Sequence, residues 1–260
     1  MKYLENATVL ITGASAGIGA ACAAAFAEAG ARLILCARRL ERLEELAATL
    51  PVEVHPLQLD VSDADAVEQA LAGLPEAWQA IDVLVNNAGL AKGFDPVYEN
   101  TPEQIDTMLD TNVKGLLFVT RAVVPGMIAR GHGHVVNIGS TAGHGVYAGG
   151  VVYSATKHAV GAITKGLKLD LHGTPVRVST VDPGLVETDF SLVRFDGDAE
   201  RADPVYSTTT PLQPEDVADA VVYCASRPPH VNVAELIVMP TAQSSPTLIQ
   251  RDTAGGRDQG

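Results

Sequence analysis

Val9-Leu10-Ile11-Thr12-Gly13-Ala14-Ser15-Ala16-Gly17-Ile18-Gly19 is the stretch that decides the fold. Val9 to Ile11 are branched and apolar and read as a strand. Gly17 to Ala29 is alanine-rich, reads as a helix, and is closed by Gly30. Glycines between a strand and a helix permit a tight turn and let backbone approach a pyrophosphate. The helix N-terminus then offers unpaired N–H groups and a positive dipole end. Gly13, Ser15, Ala16, Gly17, Ile18 and Gly19 are therefore the expected phosphate contacts. The spacing is GxxxGxG, not the general GxGxxG, so taken alone it also suits a plain glycine turn.

The same alternation runs down the chain. Strands are expected at 32–36, 52–59, 81–85, 134–138, 176–181 and 235–239. Helices are expected at 40–50, 63–74, within 102–130, at 151–171 and at 214–226. Near-continuously apolar strands separated by helices mean a parallel sheet covered on both faces. Right-handed crossovers make it doubly wound, an α/β Rossmann fold of about seven strands. No linker divides residues 1–243, which read as one domain. Residues 189–211 have mixed polarity and suit a lid. Residues 244–260 are rich in Ser, Thr, Gly and Gln and are expected to form a loose tail.

The chain has 260 residues, with 47% hydrophobic and 19% charged, an ordinary globular mix. Its 18 Lys+Arg against 31 Asp+Glu give a net charge of -13, which argues against a nucleic-acid partner. Cys22, Cys36 and Cys224 are far apart, and neither they nor the histidines show metal-ligand spacing. No metal site, disulfide framework, signal peptide or membrane-spanning apolar run is expected, which points to a soluble cytoplasmic protein.

About 20 residues past the glycines, an acid usually meets a free ribose 2′-hydroxyl. This chain has Cys36-Ala37-Arg38-Arg39 there. Two guanidiniums suit a 2′-phosphate, so NADP is favoured over NAD. Asp60-Val61 and Asn86-Asn87-Ala88-Gly89 follow the third and fourth strands, at the edge where such sheets bind ligands. Asp60 and Val61 are candidates for the adenine, and Asn87, Ala88 and Gly89 for backbone approach to the cofactor. Asx turns are the competing reading for both.

Tyr153 and Lys157 lie at i and i+4 on an expected helix and share a face. A tyrosine is a poor base unless a cation favours its phenolate. Ser140, ending the fifth strand, suits the substrate oxygen. Asn112 suits a water that links Lys157 to solvent. Each residue alone has an ordinary reading as a cap, turn or packing residue. Together behind the glycine stretch they point to hydride transfer between a nicotinamide and an alcohol or carbonyl. A serine–histidine nucleophile is excluded by the absence of a GxSxG elbow.

This set resembles the classical short-chain dehydrogenases over nearly the whole chain. The matching residues are Thr12-Gly13-x-x-x-Gly17-x-Gly19, Asp60, Asn86-Asn87-Ala88-Gly89, Asn112, Ser140, Tyr153-x-x-x-Lys157 and Pro183-Gly184. The resemblance implies a catalytic tetrad of Asn112, Ser140, Tyr153 and Lys157, with Lys157 also on the nicotinamide ribose. It implies that Pro183, Gly184, Val186 and Thr188 cover the nicotinamide, and that the protein is a homo-oligomer, a tetramer or dimer. Asn137-Ile138-Gly139-Ser140-Thr141-Ala142-Gly143, Tyr147-Ala148-Gly149-Gly150 and Val193-Arg194-Phe195-Asp196 are similar to the 3-hydroxy acid dehydrogenase subgroup. That subgroup is NADP-dependent and acts on serine, L-allo-threonine and related short acids. The chain departs from it near Glu187-Thr188, in a shorter loop. A short acid needs a cation, for which Arg194 and Lys92 are candidates. A reductase of another carbonyl (sulfoacetaldehyde or a bulkier ketone) and a non-catalytic NADP sensor are the competing readings.

Overall fold

The structure, a computed structural model, describes residues 3–251. Its seven strands are β1 (Thr8–Thr12), β2 (Arg32–Ala37), β3 (Val54–Gln58), β4 (Val83–Asn86), β5 (Gly133–Ile138), β6 (Val176–Pro183) and β7 (Glu235–Val238). They form one sheet in the order β3-β2-β1-β4-β5-β6-β7, with every pairing parallel. The order reverses beside β1, so the loops after β1 and β4 diverge and leave a crevice at the carboxyl edge.

The helices are α1 (Gly17–Glu28), α2 (Leu40–Ala47), α3 (Ala64–Ala72), α4 (Pro102–Leu109), α5 (Leu116–Arg130), α6 (Val151–Asp170), α7 (Phe190–Arg194), α8 (Ala199–Ala202) and α9 (Pro214–Ala225). Alternate residues of each strand face opposite layers. Val9, Ile11, Leu33 and Leu35 pack with Phe26 of α1, Leu43 of α2 and Val217 and Val221 of α9. Leu10, Ile34, Leu84 and Val135 pack with Val67 and Leu71 of α3 and Val119, Val123 and Met127 of α5. Strands buried on both faces have no polar alternation, which is why they read as unbroken apolar runs. Pro56 is tolerated in β3 because that strand is an edge.

Several boundaries differ from the sequence expectation. α2 ends at Ala47, and β3 starts at Val54, so the Pro51 region is a longer connection. α4 starts where its residues dictate: Thr101 accepts from Gln104 N, Gln104 returns the bond, and Pro102 occupies the first turn. A π-helical stretch, Asp110–Gly115, joins α4 to α5 without a break. The resulting helix, Pro102–Arg130, is long and apolar enough by length and composition to cross a membrane. That corrects the expectation of no such run; Val119, Val123, Val124 and Met127 of this helix pack on the sheet, while Leu109, Leu117 and Ile128 are exposed. In the expected loose tail, residues 244–251 instead fold back, with Gln243 bridged to Ile249 and Gln250 N donating to Ala242 O. Residues 252–260 lie outside the described residues.

Candidate active site

The crevice is stitched together by side chains from two loops. Thr12 Oγ1 accepts from Asn87 N and Ala88 N, both at 3.0 Å. Asn87 Nδ2 donates to Thr12 O at 2.9 Å and Gly13 O at 3.2 Å. Asn87 thus holds the glycine turn by its amide, and Ala88 and Gly89 lie alongside. Gly13 has φ +65° and Gly17 φ +52°, a region glycine enters without strain. A Cβ at Gly19 would strike Gly13 O and the Asn87 amide. α1 begins at Gly17 with no side-chain cap from Ala16 and no acid in its first turn. Its N-terminal amides and dipole therefore favour an anion beside Ser15, Ala16 and Ile18.

Arg38 and Arg39 are exposed just past β2, and Arg39 Nη2 donates to Ser15 Oγ at 3.3 Å. Among the described residues neither arginine makes an ion pair. An uncapped helix end, Arg39 on the Ser15 hydroxyl and the exposed Arg38 beside it in sequence fit a phosphorylated dinucleotide such as NADP. Asp60 spends its carboxylate on Ser62, accepting from its N at 3.0 Å and its Oγ at 2.7 Å. This is the Asx turn that competed with an adenine contact. Val61 is buried beneath Gly115, whose Cβ would lie 2.7 Å from it.

Tyr153 and Lys157 stand on one face of α6, with the Lys157 amine 5.8 Å from the Tyr153 ring centre. Lys157 is buried and donates to Ile138 O at 2.9 Å. Burial pulls its pKa down to about 8, against a smaller upward pull from the Asp182 carboxylate. Burial pushes the Tyr153 phenol well above its usual range, as does Tyr147, while Ser140 and Arg194 favour the phenolate. Ser140 follows β5, and its Oγ accepts from Ala142 N at 3.1 Å. Asn112 lies within the π-helical stretch and is buried. Its Oδ1 accepts from Leu90 N at 2.8 Å; its Nδ2 donates to Leu90 O at 2.8 Å and Thr156 Oγ1 at 3.1 Å. Its side chain thus pins the β4–α4 connection to α6.

The segment 189–211 folds into α7, α8 and a short turn that lie over this group. Thr188 stands against Gly17, within 3.3 Å of where a Cβ would be. Val186 pairs with Leu212, and Pro183 ends β6. Gly184 lies so near Gln243 that a Cβ would overlap its amide, whose Oε1 accepts from Leu185 N at 2.8 Å. The two candidate cations part ways. Lys92 is ion-paired with Asp196 and donates to Val193 O. Arg194 Nε donates to Gly93 O at 2.8 Å and its Nη1 to Tyr147 OH at 3.2 Å. Its guanidinium is 5.9 Å from the Tyr153 ring centre and 4.6 Å from that of Phe94. Among the described residues its Nη2 makes no hydrogen bond.

Phe94, Phe190 and Tyr206, which sequence reading did not single out, complete the walls with Tyr147, which it noted only as part of a subgroup-like stretch. Phe190 meets Tyr153 edge-on at 5.5 Å, and Tyr206 OH bonds to Ser191 Oγ at 2.8 Å. Aromatic residues on three separate segments leave no local pattern to find. The same holds for His144, Asp182 and Glu235, whose ligand-type atoms lie within 4.8 Å of one another. They come from three distant segments, so sequence spacing gave no hint of them.

The short chain dehydrogenase family model matches residues 7–197. The NADP-dependent 3-hydroxy acid dehydrogenase YdfG of Salmonella typhi is 51% identical over 237 residues, covering 91% of this chain and 96% of that protein. Sulfoacetaldehyde reductase 2 of Chromohalobacter salexigens is 50% identical over 248 residues, covering 94% and 98%. Among solved structures, the closed form of serine dehydrogenase complexed with NADP+ superposes with a TM-score of 0.90 at 48% identity, covering 95% of this chain and 100% of that one. Fold, crevice and sequence thus agree: the chain belongs to the short-chain dehydrogenase family.

Proposed function

We propose that the protein is an NADP-dependent oxidoreductase acting at the 3-hydroxyl carbon of a small 3-hydroxy acid of the serine, L-allo-threonine or 3-hydroxypropionate type. The observation that carries the substrate class is Arg194, whose guanidinium stands over Tyr153 with one nitrogen unengaged. A carboxylate held there leaves the third carbon of a short acid near the Tyr153 and Ser140 hydroxyls. Gly13, Ser15, Ala16, Gly17, Ile18 and Gly19 hold the pyrophosphate. Arg38 and Arg39 take the 2′-phosphate, and Asp60 and Val61 border the adenine. Asn87, Ala88 and Gly89 line the cofactor's inner side, and Pro183, Gly184, Val186 and Thr188 its nicotinamide end.

Bound NADP+ supplies the hydride acceptor, and its positive ring favours an anion beside it. Ser140 Oγ donates to the substrate oxygen and orients it. Tyr153 takes the hydroxyl proton as C3 gives up hydride, and returns it in the reverse direction. Burial alone makes Tyr153 too weak a base, so Ser140, Arg194 and the cofactor together have to offset it. The Lys157 ammonium binds the ribose and adds its positive charge. Asn112 keeps the Leu90 segment in place.

Tyr153→Phe should leave NADPH binding within about twofold and lower kcat by roughly 10³-fold, the scale of a lost general base. Turnover on L-serine, 3-hydroxypropionate and sulfoacetaldehyde, with NADP and with NAD, tests the substrate class in the same assay. Undiminished turnover in Tyr153→Phe would sink the mechanism. The second reading is reduction of sulfoacetaldehyde, which a 50% identical relative is named for. Arg194 suits a sulfonate as well as a carboxylate, so the substrate ratio decides between them. A non-catalytic sensor requires tight NADPH binding with no turnover on any of the three. We further propose self-association through Leu109, Leu117 and Ile128, exposed along α4 and α5. The three buried free thiols suit a cytoplasmic setting.

A further inference from the structure

The segment carrying Ser140 is held from both sides. On one side Gly143 lies so close to the Lys157 carbonyl that a Cβ would be 2.8 Å away, and the Lys157 amine donates to Ile138 O. On the other side Gly139 N donates to Val181 O at 2.9 Å, and a Cβ on Gly139 would overlap the Asp182 carboxylate. Asp182 is buried, and it is fixed at each oxygen. Thr180 Oγ1 donates to Oδ1, and His144 Nε2 lies 2.7 Å from Oδ2. His144 closes the turn that begins at Ser140. Asp182 immediately precedes Pro183, where β6 leaves the sheet for the lid.

We propose that His144 and Asp182 are positioning residues for the reaction: their hydrogen bond fastens the Ser140 turn to the end of β6, and Asp182 packs on Gly139, next to the Ile138 carbonyl that the Lys157 amine binds. The inference rests on the dehydrogenase reading of that group. On this reading His144 and Asp182 act through Ser140 and Lys157. The other charged groups at the pair are Glu235 of β7, 3.9 Å from His144 Nε2, and Lys165 of α6, 3.7 Å from Glu235. Glu235 is shared with an exposed lysine at longer distance, so Asp182 is the principal partner of His144. Lys157 feels Asp182 as its stabilising charge, set against its own burial.

The test uses the NADP-bound enzyme with ¹³C-labelled lysine. The Lys157 resonance, identified by its loss in Lys157→Met, is titrated in wild type and in Asp182→Asn. Removing the carboxylate's charge should lower the Lys157 midpoint by about one pH unit and kcat by roughly tenfold, with both KM values within about twofold. His144→Ala should lower kcat with KM preserved, and His144→Gln, which keeps an N–H toward Asp182, should restore most of it. An unchanged midpoint and kcat in Asp182→Asn would overturn the proposal, as would a His144→Gln no better than His144→Ala. If Asp182→Asn does not fold, the two His144 variants decide alone. The titration needs no turnover, so a wild type inert on every acid defeats the substrate reading and leaves this coupling measurable.

Discussion

Arg194 and Lys92 look alike in the sequence, each a lone cation in a mixed-polarity stretch. The structure separates them by what each already holds. Lys92 is neutralised by Asp196, whereas Arg194 sits among Phe94, Tyr147 and Tyr153 with a donor to spare. Losing a hydrogen bond to a charged partner costs about 1.5–3 kcal/mol. Arg194→Ala should therefore raise KM for L-serine or 3-hydroxypropionate roughly 10- to 100-fold in steady-state assays, and an unchanged KM would remove its role. Lys157 offers a second test at this scale. Its amine binds a proton less readily in the folded protein, at about 8 against an ordinary 10.5. Between those values the unfolded chain binds more protons, so wild-type stability rises with pH across that window. Below it, the buried charge costs on the order of 3 kcal/mol, partly offset by the bond to Ile138 O. In the absence of NADP, Lys157→Met should melt higher than wild type at pH 7, and the gap should shrink as pH rises from about 8 toward 10.5. Equal melting temperatures at pH 7 would contradict that.

At the scale of elements, the β1–α1 turn is the part most dependent on absent atoms. Gly19 leaves no room for a Cβ because Gly13 O and Asn87 Nδ2 already fill the space. Gly19→Ala must push the turn off the Asn87 amide or spread α1 from β1. It should cost about 1–3 kcal/mol in denaturant unfolding and weaken NADPH binding measured by fluorescence, with a wild-type-like variant refuting the argument. This turn was legible in the sequence because its chemistry is local: a strand, three glycines and an alanine-rich helix lie within some twenty residues. The helix boundary at Thr101 was legible for the same reason. The π-helical stretch at Asp110–Gly115 was not. Its residues carry no local signal, and the extra width arises as Asn112 reaches Leu90 and Gly115 settles against Val61. The folded-back segment 244–251 was illegible too. Its bonds run to Ala242 and Gln243, while Arg251 reaches Pro204 and Ser207 in the lid region.

For the whole molecule, α4–α5 has two faces with different fates. One covers the sheet through Val119, Val123 and Met127, and the other exposes Leu109, Leu117 and Ile128. If that outer face joins subunits, Leu117→Asp combined with Ile128→Asp should reduce the mass seen by light scattering to a smaller species, with near-UV circular dichroism preserved. An unchanged mass would place the interface elsewhere. The sequence by itself determined the sheet-and-helix alternation, the glycine crevice and the Ser140, Tyr153 and Lys157 set, because strand periodicity, turn chemistry and i, i+4 spacing act over short distances. Only the tertiary structure decided which cation faces Tyr153, that the Asn112 side chain is a pin, and that His144 meets Asp182. Those outcomes depend on which distant segments the sheet order brings together. They also depend on whether burial or a neighbouring charge prevails at each buried group, as at Lys157, where burial prevails.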